Sequence, residues 1–439
     1  MFSIFSQIEL MIKSNISKLR SSLIMGRFSK VLVVDVLARA SSFILLPIYL
    51  KLMTQEEFGL YGYLLSIISA FSLFLNFGLY VSQIRLYPVY RDKEKGAMLF
   101  TVNVLLSSSL FVLLIGVFLS KTDYAIIFFM FSHQINYAAY RTIVFLSFIS
   151  AVFSLMVYTY FIASEKIALI QFNNLSKMIL VNAVVIYFLF ASHSDGVFVR
   201  LKYTLVSEFA VLLFFGAFLI KEMHPRFRFD IARRSLKIGI PIMLSAVFAL
   251  LYNLSDRFFL EKYSGFRVLA IYNLGMSIAG VVTILSASFQ SIYVPIFFKE
   301  KNPVINFKKV KEILRIAIPG LLLFGAGLIF ITWGMIHLNI ISKAYQEVIF
   351  LLPLLFISSI LQFSAHLYNN FMTYFEITYV IVLVNIISNI INVVLNILLI
   401  PRFSIYGAAL ATVIATTIAF LAFFFYTKRR VGLAVRVVV

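Results

Sequence analysis

Long runs of apolar residues recur along the whole chain and are separated by short polar segments. A membrane-spanning helix needs about 20 mainly apolar residues. Twelve runs meet this requirement: 29–50, 59–82, 97–120, 142–163, 168–191, 203–220, 236–260, 268–297, 313–337, 347–374, 377–400 and 406–427. The strands of a membrane barrel would give shorter alternating segments of about ten residues, which the chain lacks. Since lipid cannot pair backbone polar groups, the runs predict an all-α polytopic membrane protein with twelve transmembrane helices.

Two shorter segments have a different pattern. Residues 124–130 are apolar but too short to span a bilayer, and polar residues follow them, which predicts an interfacial or loop helix before the fourth span. In residues 1–28, apolar residues recur at helical spacing with basic residues between them. This pattern predicts an amphipathic helix on the cytoplasmic surface of the membrane rather than a cleavable signal peptide.

The composition and the position of the charges agree with a membrane protein. Only 13% of the residues are charged, against about 25% in soluble domains. The net charge is +20, and most of the 38 lysine and arginine residues fall at alternate ends of the predicted spans, in residues 13–30, 85–95, 166, 221–237, 299–315 and 428–436. The positive-inside rule therefore predicts that both termini are cytoplasmic. It also favours contact with membrane lipids over binding of nucleic acid.

The longest charged connector, residues 221–237, divides the spans into two sets of six. It predicts an N-lobe over 29–220, a C-lobe over 238–427 and a cytoplasmic tail over 428–439. A weak sequence repeat supports this division. At a constant offset of 211 residues, it matches Tyr61 with Tyr272, Ser66 with Ser277 and Ile67 with Ile278. Transporters are commonly built from such repeats, with the substrate site between them.

Ionisable residues inside spans are costly and commonly face a cavity or the bundle interior. The six candidates are Asp35, Arg39, Lys177, Glu208, Asp256 and Arg257. Asp35 and Arg39 are four positions apart, so they share a helix face and either pair with each other or line a cavity. Lys177 has no acidic residue on its own helix turn and is the best candidate for an unpaired cavity charge. The Asp256-Arg257 pair is either a latch between the lobes or an interfacial anchor.

Neutral polar stripes occupy the tenth and eleventh spans. The eleventh carries four asparagines at helical spacing: Asn385, Asn389, Asn392 and Asn396. Hydrogen bonds between helices are the expected role of this stripe. His366 in the tenth span is either a packing residue or a proton carrier.

The sequence lacks the motifs of the common enzyme classes. It has no HExxH motif, phosphate-binding loop, dinucleotide fingerprint or Gly-x-Ser-x-Gly elbow. It also has no cysteine, which excludes disulfides and cysteine-ligated metals. We therefore expect no catalytic residues, metal or cofactor, and any transport would be driven by a gradient rather than by nucleotide hydrolysis in this chain.

Several motifs resemble those of bacterial polysaccharide flippases. They are the Thr54–Tyr61 segment TQEEFGLY, Phe77-Gly78-Leu79 with Arg85, Pro241, Asp256-Arg257-Phe258-Phe259, Ile271-Tyr272, and Asn392-x3-Asn396 followed by Ile400-Pro401 and Gly407–Thr412. Ser404 stands where the family usually has the first glycine of the last motif. The chain thus resembles the Wzx-type repeat-unit flippases of the multidrug/oligosaccharidyl-lipid/polysaccharide (MOP) superfamily.

The resemblance implies two six-helix lobes that alternate between inward and outward states in the bacterial inner membrane. It implies transport of an undecaprenyl-diphosphate-linked oligosaccharide, such as an O-antigen unit, and cooperation with a polysaccharide polymerase and a chain-length regulator. Such flippases have a cationic cavity, to which Arg39, Lys177 and Arg257, with Asp35 beside them, would contribute by position. We assign coupling or gating to Glu208, Asp256 and His366.

Three other functions stay open at this point. One is a drug or cation antiporter of the same superfamily, which would favour buried carboxylates. Another is a lipid II flippase, although those typically have fourteen spans. The third is a membrane polymerase or glycosyltransferase, which would need a large extramembrane domain that the sequence does not offer.

Overall fold

A computed structural model describes residues 45–133, 135–192 and 195–438, and this part of the chain contains helices and their connections but no strand. The α-helices are α1 Leu46–Leu52, α2 Gln55–Leu75, α3 Leu79–Leu86, α4 Asp92–Ser120, α5 Thr122–Met130, α6 Tyr137–Ala163, α7 Ile167–Ala191, α8 Gly196–Glu222, α9 Phe229–Lys299, α10 Pro303–His337, α11 Val348–Tyr374 and α12 Thr378–Val438. The predicted N-terminal helix and most of the first predicted span, with Asp35 and Arg39, lie outside the described residues.

Two of the helices are helical hairpins. A straight α9 of 71 residues would be about 105 Å long, several times the thickness of a bilayer core. Its backbone is non-helical at Gly265, and α12 is interrupted in the same way at Ser404. The chain reverses at both points. In α9, Arg257 Nε lies 3.1 Å from Asn273 Oδ1 although the two residues are 16 positions apart, and in α12, Asn392 Nδ2 lies 3.5 Å from Thr412 Oγ1, 20 positions away.

The described helices correspond to the second to twelfth predicted spans. Among the described residues, nine helices are long and apolar enough to cross a membrane, and they include both hairpins. Each arm of a hairpin corresponds to one predicted span, so that α9 contains the seventh and eighth and α12 the eleventh and twelfth. The predicted all-α multi-pass architecture is confirmed.

The second predicted span differs from the observed helices. Residues 59–82 were expected to be continuous, but a turn at residues 76–78 separates α2 from α3. Gly78 has φ 67°, and a Cβ atom on it would lie 2.3 Å from the carbonyl oxygen of Gly239. The Phe77-Gly78-Leu79 motif therefore provides both a left-handed residue and room for the start of α9.

The connector between the lobes is shorter than the predicted residues 221–237. Only residues 223–228 are non-helical, because α9 begins at Phe229. In this first part of α9, Ile231 and Ser235 are buried while Arg233 and Arg234 are exposed. The charges that suggested a loop thus occupy one face of an amphipathic helix. In the same way, α12 continues through most of the predicted tail.

The helix starts follow local capping rules. Thr54 Oγ1 accepts a hydrogen bond from the backbone N–H of Glu57, and Glu57 Oε2 accepts one from the N–H of Thr54 at 2.7 Å. This capping box explains the Thr-x-x-Glu spacing of the first family motif. The Glu57 carboxylate also binds the N–H of Gly196 through Oε1, which links the starts of α2 and α8.

The bundle has two ends, which we name by their connections. The basic end carries the connections that precede α4, α7, α9, α10 and α12, and it includes the basic loops of the sequence. The opposite end carries those that precede α2, α6, α8 and α11, together with the hairpin turns at Gly265 and Ser404. Consecutive spans therefore run up and down through the bundle.

The largest cluster of buried apolar side chains among the described residues joins the lobes at the opposite end. The largest cluster contains residues of both lobes, such as Tyr63, Val199, Tyr272 and Leu351, which lie in the halves of their spans near that end. Towards the basic end there are two further clusters, one of N-lobe residues together with Ile231 at the start of α9, and one within the C-lobe. The lobes are thus packed together at the opposite end and have separate cores at the basic end.

An approximate two-fold axis passes between α2 and the second arm of α9. Residues separated by 211 positions meet there. The pairs are Glu56 with Arg267, Gly59 with Ala270 and Gly62 with Asn273. The same offset relates Glu165 (φ 56°) to Glu376 (φ 57°), which end α6 and α11 in the left-handed conformation. Contact between equivalent positions is what a two-fold relation requires.

Candidate functional site

A cavity of about 830 Å³ lies between the lobes, beneath their packed end. Its walls come from α1, α2, α6, α7 and α8 of the N-lobe and from both arms of α9. Four ionisable side chains of Lys, Arg or Glu line it: Lys177, Arg200, Glu208 and Arg257. Three of these four side chains are cationic, so the described wall is predominantly positive.

Lys177 lies near the middle of α7 and lines the cavity, as its position in the fifth span predicted. Its side chain is half-buried, and no hydrogen bond or ion pair joins its ammonium group to another described residue. Neighbouring amides on the same wall come from Asn174 and Asn182. An ammonium group in this setting is available to an anionic ligand.

Arg257 enters the cavity from the C-lobe, on the first arm of α9. Its Nε donates to Asn273 Oδ1 at 3.1 Å, so that the side chain is fixed against the second arm. Arg257 also lines a smaller cavity of about 330 Å³ that follows α2 past Ser66, Ser69 and Leu73. The positive wall therefore extends along α2 towards the basic end.

Arg200 is a cavity residue that the sequence analysis missed. Its guanidinium lies 3.9 Å from the ring centroids of both Tyr49 and Tyr61, a geometry typical of cation–π contacts. The predicted sixth span started at residue 203, whereas α8 starts at Gly196 and includes this arginine. The signal was the spacing of Arg200, Thr204 and Glu208, which places all three on one helix face.

Glu208 is the one carboxylate among the described residues that line the main cavity. Its Oε2 accepts a 3.4 Å hydrogen bond from Ser150, and its side chain is half-buried. Aromatic side chains of α1, α2 and α6 complete the wall: Tyr49, Phe58, Tyr61 and Tyr158. Fixed cations can bind a phosphate, and tyrosines present apolar faces with polar edges to a sugar.

Asp256 does not line the cavity, although its neighbour Arg257 does. It is buried inside the C-lobe, where Oδ1 accepts from Asn396 Nδ2 at 2.6 Å. Its Oδ2 accepts from Tyr272 Oη at 2.5 Å and from Thr412 Oγ1 at 3.4 Å. The second arm of α9 and both arms of α12 therefore converge on this carboxylate.

The asparagine stripe divides into two pairs. Asn392 and Asn396 are fully buried and belong to the Asp256 cluster, in which Asn396 Oδ1 has no hydrogen-bond partner among the described residues. Asn385 is exposed and Asn389 half-exposed, and neither bonds to another described residue. His366 is on an exposed face of α11 and does not line the cavity.

The described residues also contain no group of three histidine, aspartate or glutamate side chains that could hold a metal ion. The cavity and the Asp256 cluster are thus the two polar sites that the structure assembles from the candidates of the sequence.

Three comparisons place the chain among known proteins. A protein-family model described as polysaccharide biosynthesis protein matches residues 28–301. A search of curated protein sequences gives no match. The fold is similar to that of the lipid II flippase MurJ in an inward closed conformation, with a TM-score of 0.73 and 16% identity over 90% of this chain and 87% of that chain.

Two other solved structures have the same fold. One is an inward-facing MATE family multidrug transporter of the MOP superfamily, with a TM-score of 0.63 and 14% identity over 90% of this chain and 94% of that chain. The other is a MOP superfamily transporter from Pyrococcus furiosus, with a TM-score of 0.57 and 13% identity over 92% of this chain and 95% of that chain. The predicted fold class is confirmed. Because the family model matches more than half of its residues, the chain belongs to the polysaccharide biosynthesis protein family, and it has the fold of MOP-superfamily transporters.

Proposed function

We propose that the protein is a flippase that moves an undecaprenyl-diphosphate-linked oligosaccharide, an O-antigen unit or a similar repeat unit, across the bacterial inner membrane. The observation that carries the proposal is the cavity between the lobes, where Lys177, Arg200 and Arg257 face Glu208, the one carboxylate of the described wall. A diphosphate leaves water only where fixed positive charge replaces its hydration.

The fold supports transport by alternating access. The lobes share one core at the opposite end and have separate cores at the basic end, so the cavity is closed towards the former. With the basic end in the cytoplasm, as the positive-inside rule requires, this arrangement accepts substrate from the inner leaflet. The cations bind the diphosphate and the tyrosines contact the sugars, while the polyprenyl chain stays in the lipid. A polymerase and a chain-length regulator would act on the flipped unit.

The Asp256 cluster supports coupling to a proton or a monovalent cation. A buried carboxylate is costly unless it is neutralised, and no cation lies within ion-pair distance of it among the described residues. The unpaired Asn396 Oδ1 is a further oxygen ligand beside it. Asp256 would then couple and Glu208 would balance the charge of the cavity. His366 neither lines the cavity nor bonds to a described residue of the Asp256 cluster, so no contact supports such a role for it.

A cation-coupled drug antiporter is the second candidate, and the buried Asp256 is the observation in its favour. The charge of the cavity opposes it, because three fixed cations repel cationic drugs. A lipid II flippase would also carry a diphosphate-linked sugar, so only the identity of the sugar separates it from our proposal. Both alternatives are therefore tested through the substrate.

The decisive experiment replaces the cavity cations. We expect Lys177→Ala and Arg257→Ala to lower surface polysaccharide at least tenfold and to leave lipid-linked units on the cytoplasmic side, with normal amounts of protein in the membrane. Lys202→Ala is the matched control, because this lysine is exposed on α8 and does not line the cavity. Normal polysaccharide in both cavity variants would contradict the proposal. Export of cationic drugs that needs Asp256 would favour the antiporter instead.

A further inference from the structure

Glu261 is a fully buried carboxylate at the packed end of the lobes. It lies in the last turn of the first arm of α9, four residues before the hairpin turn at Gly265. The N-lobe segment of residues 131–133, which follows α5, covers it. This glutamate has no part in the cavity or in the Asp256 cluster.

Every described hydrogen bond of the Glu261 carboxylate crosses from one lobe to the other. The backbone N–H of Ser132 donates to Oε1 at 2.9 Å and to Oε2 at 3.0 Å. The backbone N–H of His133 donates to Oε1 at 2.8 Å, and His133 Nδ1 lies 3.0 Å from the same oxygen. Hydrogen bonds to a charged group are about twice as strong as neutral ones.

Neighbouring contacts hold the N-lobe segment in place. Tyr63 Oη donates to the carbonyl oxygen of Met130 at 2.8 Å, next to the residues that bind the carboxylate. The His133 ring packs beside Phe266, with centroids 5.8 Å apart. A Cβ atom on Gly265 would lie 3.5 Å from His133 Nε2. The segment therefore fits over the hairpin turn of α9.

A second ion pair crosses the same end and provides a comparison. Glu56 Oε1 and Arg267 Nε are 2.7 Å apart, but their side chains are 59% and 73% exposed. Exposed pairs contribute little, because water and salt screen them. A carboxylate buried with its donors loses far more when they leave, since it must be rehydrated or left unpaired. The burial of Glu261 thus makes it the stronger contact between the lobes.

We propose that Glu261 is the gate residue that keeps the cavity closed at the opposite end, and that release of Ser132 and His133 from its carboxylate is the step that opens this end. This inference rests on one part of the proposed function, which is that the protein alternates between inward and outward states. It adds the contact that determines how readily the outward state forms, whatever the substrate.

The absence of cysteine from the chain makes the gate directly measurable. A single Ser66→Cys reporter is placed in the cavity wall, and a membrane-impermeant maleimide is added from the periplasmic side of intact cells. We expect slow labelling of the otherwise unchanged chain. In Glu261→Gln the charge is lost and an amide NH₂ faces backbone N–H donors, so labelling should be at least tenfold faster. Glu56→Gln, the matched control at the same end, should change the rate less than twofold.

A milder variant covers the case in which Glu261→Gln does not fold. His133→Ala removes one of the four hydrogen bonds and keeps both backbone donors, so we expect labelling to be about threefold faster. Gel filtration and complete labelling in detergent measure the folded fraction. The proposal would be overturned if Glu261→Gln and His133→Ala, where they fold, were labelled no faster than the otherwise unchanged chain. It would also be overturned if Glu56→Gln raised the labelling rate as much as they do. The labelling reaction does not depend on transport of a substrate. If the variants change the labelling rate as expected but the protein does not flip lipid-linked oligosaccharide in vesicles, the result counts against the proposed function alone.

Discussion

A buried polar cluster around Gln83 in the N-lobe and the Asp256 cluster in the C-lobe differ in charge. In the N-lobe, Gln83 Nε2 donates to the carbonyl oxygen of Met156 at 2.8 Å and to Thr159 Oγ1 at 3.1 Å. Asn103 Nδ2 donates to Gln83 Oε1 at 3.1 Å and to the carbonyl oxygen of Leu99 at 2.9 Å. No buried side-chain nitrogen or oxygen of Gln83, Asn103 or Thr159 lacks a partner.

The C-lobe cluster is charged and incompletely paired. Asp256 is buried among Tyr272, Asn396 and Thr412, while Asn396 Oδ1 has no partner among the described residues. A neutral and satisfied network stabilises helix packing and needs nothing further. A buried charge beside an unpaired oxygen requires an additional cation or proton. We therefore expect the N-lobe cluster to be structural and the C-lobe cluster to respond to ions, as the proposed coupling requires.

Substitution of Asp256 should have the largest effect and tests the difference between the two clusters most directly. We expect Asp256→Asn to lower transport at least tenfold with the fold intact. Monovalent cations should stabilise the unchanged protein by about 1–3 kcal/mol through binding to the native state, and this variant should lose that response. Thermal unfolding in sodium, potassium and choline chloride measures it. Gln83→Leu is the control that should keep the response, and a response that survives in Asp256→Asn would show that the cation binds elsewhere.

Substitutions in the neutral N-lobe cluster should lower the stability of the protein rather than its transport activity. Gln83→Ala removes one hydrogen-bond partner each from Asn103 and Thr159 and opens a cavity, which we expect to cost about 2–4 kcal/mol in the free energy of unfolding. Reversible unfolding in mixed micelles measures this loss. Transport per folded molecule should stay within twofold of normal, and a selective loss of transport would give the N-lobe cluster a functional role.

The asparagine stripe sharpens the same comparison within one helix. Asn396→Ala removes a donor to the buried Asp256 carboxylate and should cost about 1–3 kcal/mol. Asn385→Ala removes an exposed amide with no described partner, and we expect a change within about 0.5 kcal/mol. If both variants lowered the unfolding midpoint equally, this would contradict the assignment of Asn392 and Asn396, but not Asn385, to the Asp256 cluster.

The smallest expected effect concerns the two hairpin turns. Ser404 has φ 50° and ψ −126°, a conformation that suits glycine, whereas the α9 turn already has glycine at residue 265. Ser404→Gly should relieve strain but lose the 2.9 Å contact with Ser264 Oγ. We expect a net gain of about 0.5–1 kcal/mol in unfolding free energy. Gly265→Ala is the opposite control and should be destabilising.

Much of the fold followed from the sequence because lipid imposes strong rules. Apolar length and loop charge predicted the spans, and the motif at Thr54 reflected a real capping box. The bounds of the connector failed because periodic charges on the first turns of α9 look like a loop when burial is unknown. The break at Gly78 depends on the approach of Gly239, which is distant in sequence.

The site was only partly predictable for the same reason. Lys177, Glu208 and Arg257 were found as charges inside spans, and all three line the cavity. Arg200 was missed because the span boundary was placed at the first apolar run, and Glu261 because its donors come from the distant residues Ser132 and His133. Pairwise partners across lobes cannot be read from local spacing. Asp35 and Arg39 remain predictions outside the described residues.

The contact between Glu56 and Arg267 on the two-fold axis bears on how the halves assemble. In a symmetric dimer of first halves, Glu56 would face a second Glu56 across the axis, and in a dimer of second halves Arg267 would face another arginine. Both arrangements place like charges together, and only the mixed pair places opposite charges there. If the two halves were made as separate polypeptides, this pair would therefore favour association of unlike halves over like halves, by the small free energy that an exposed ion pair contributes.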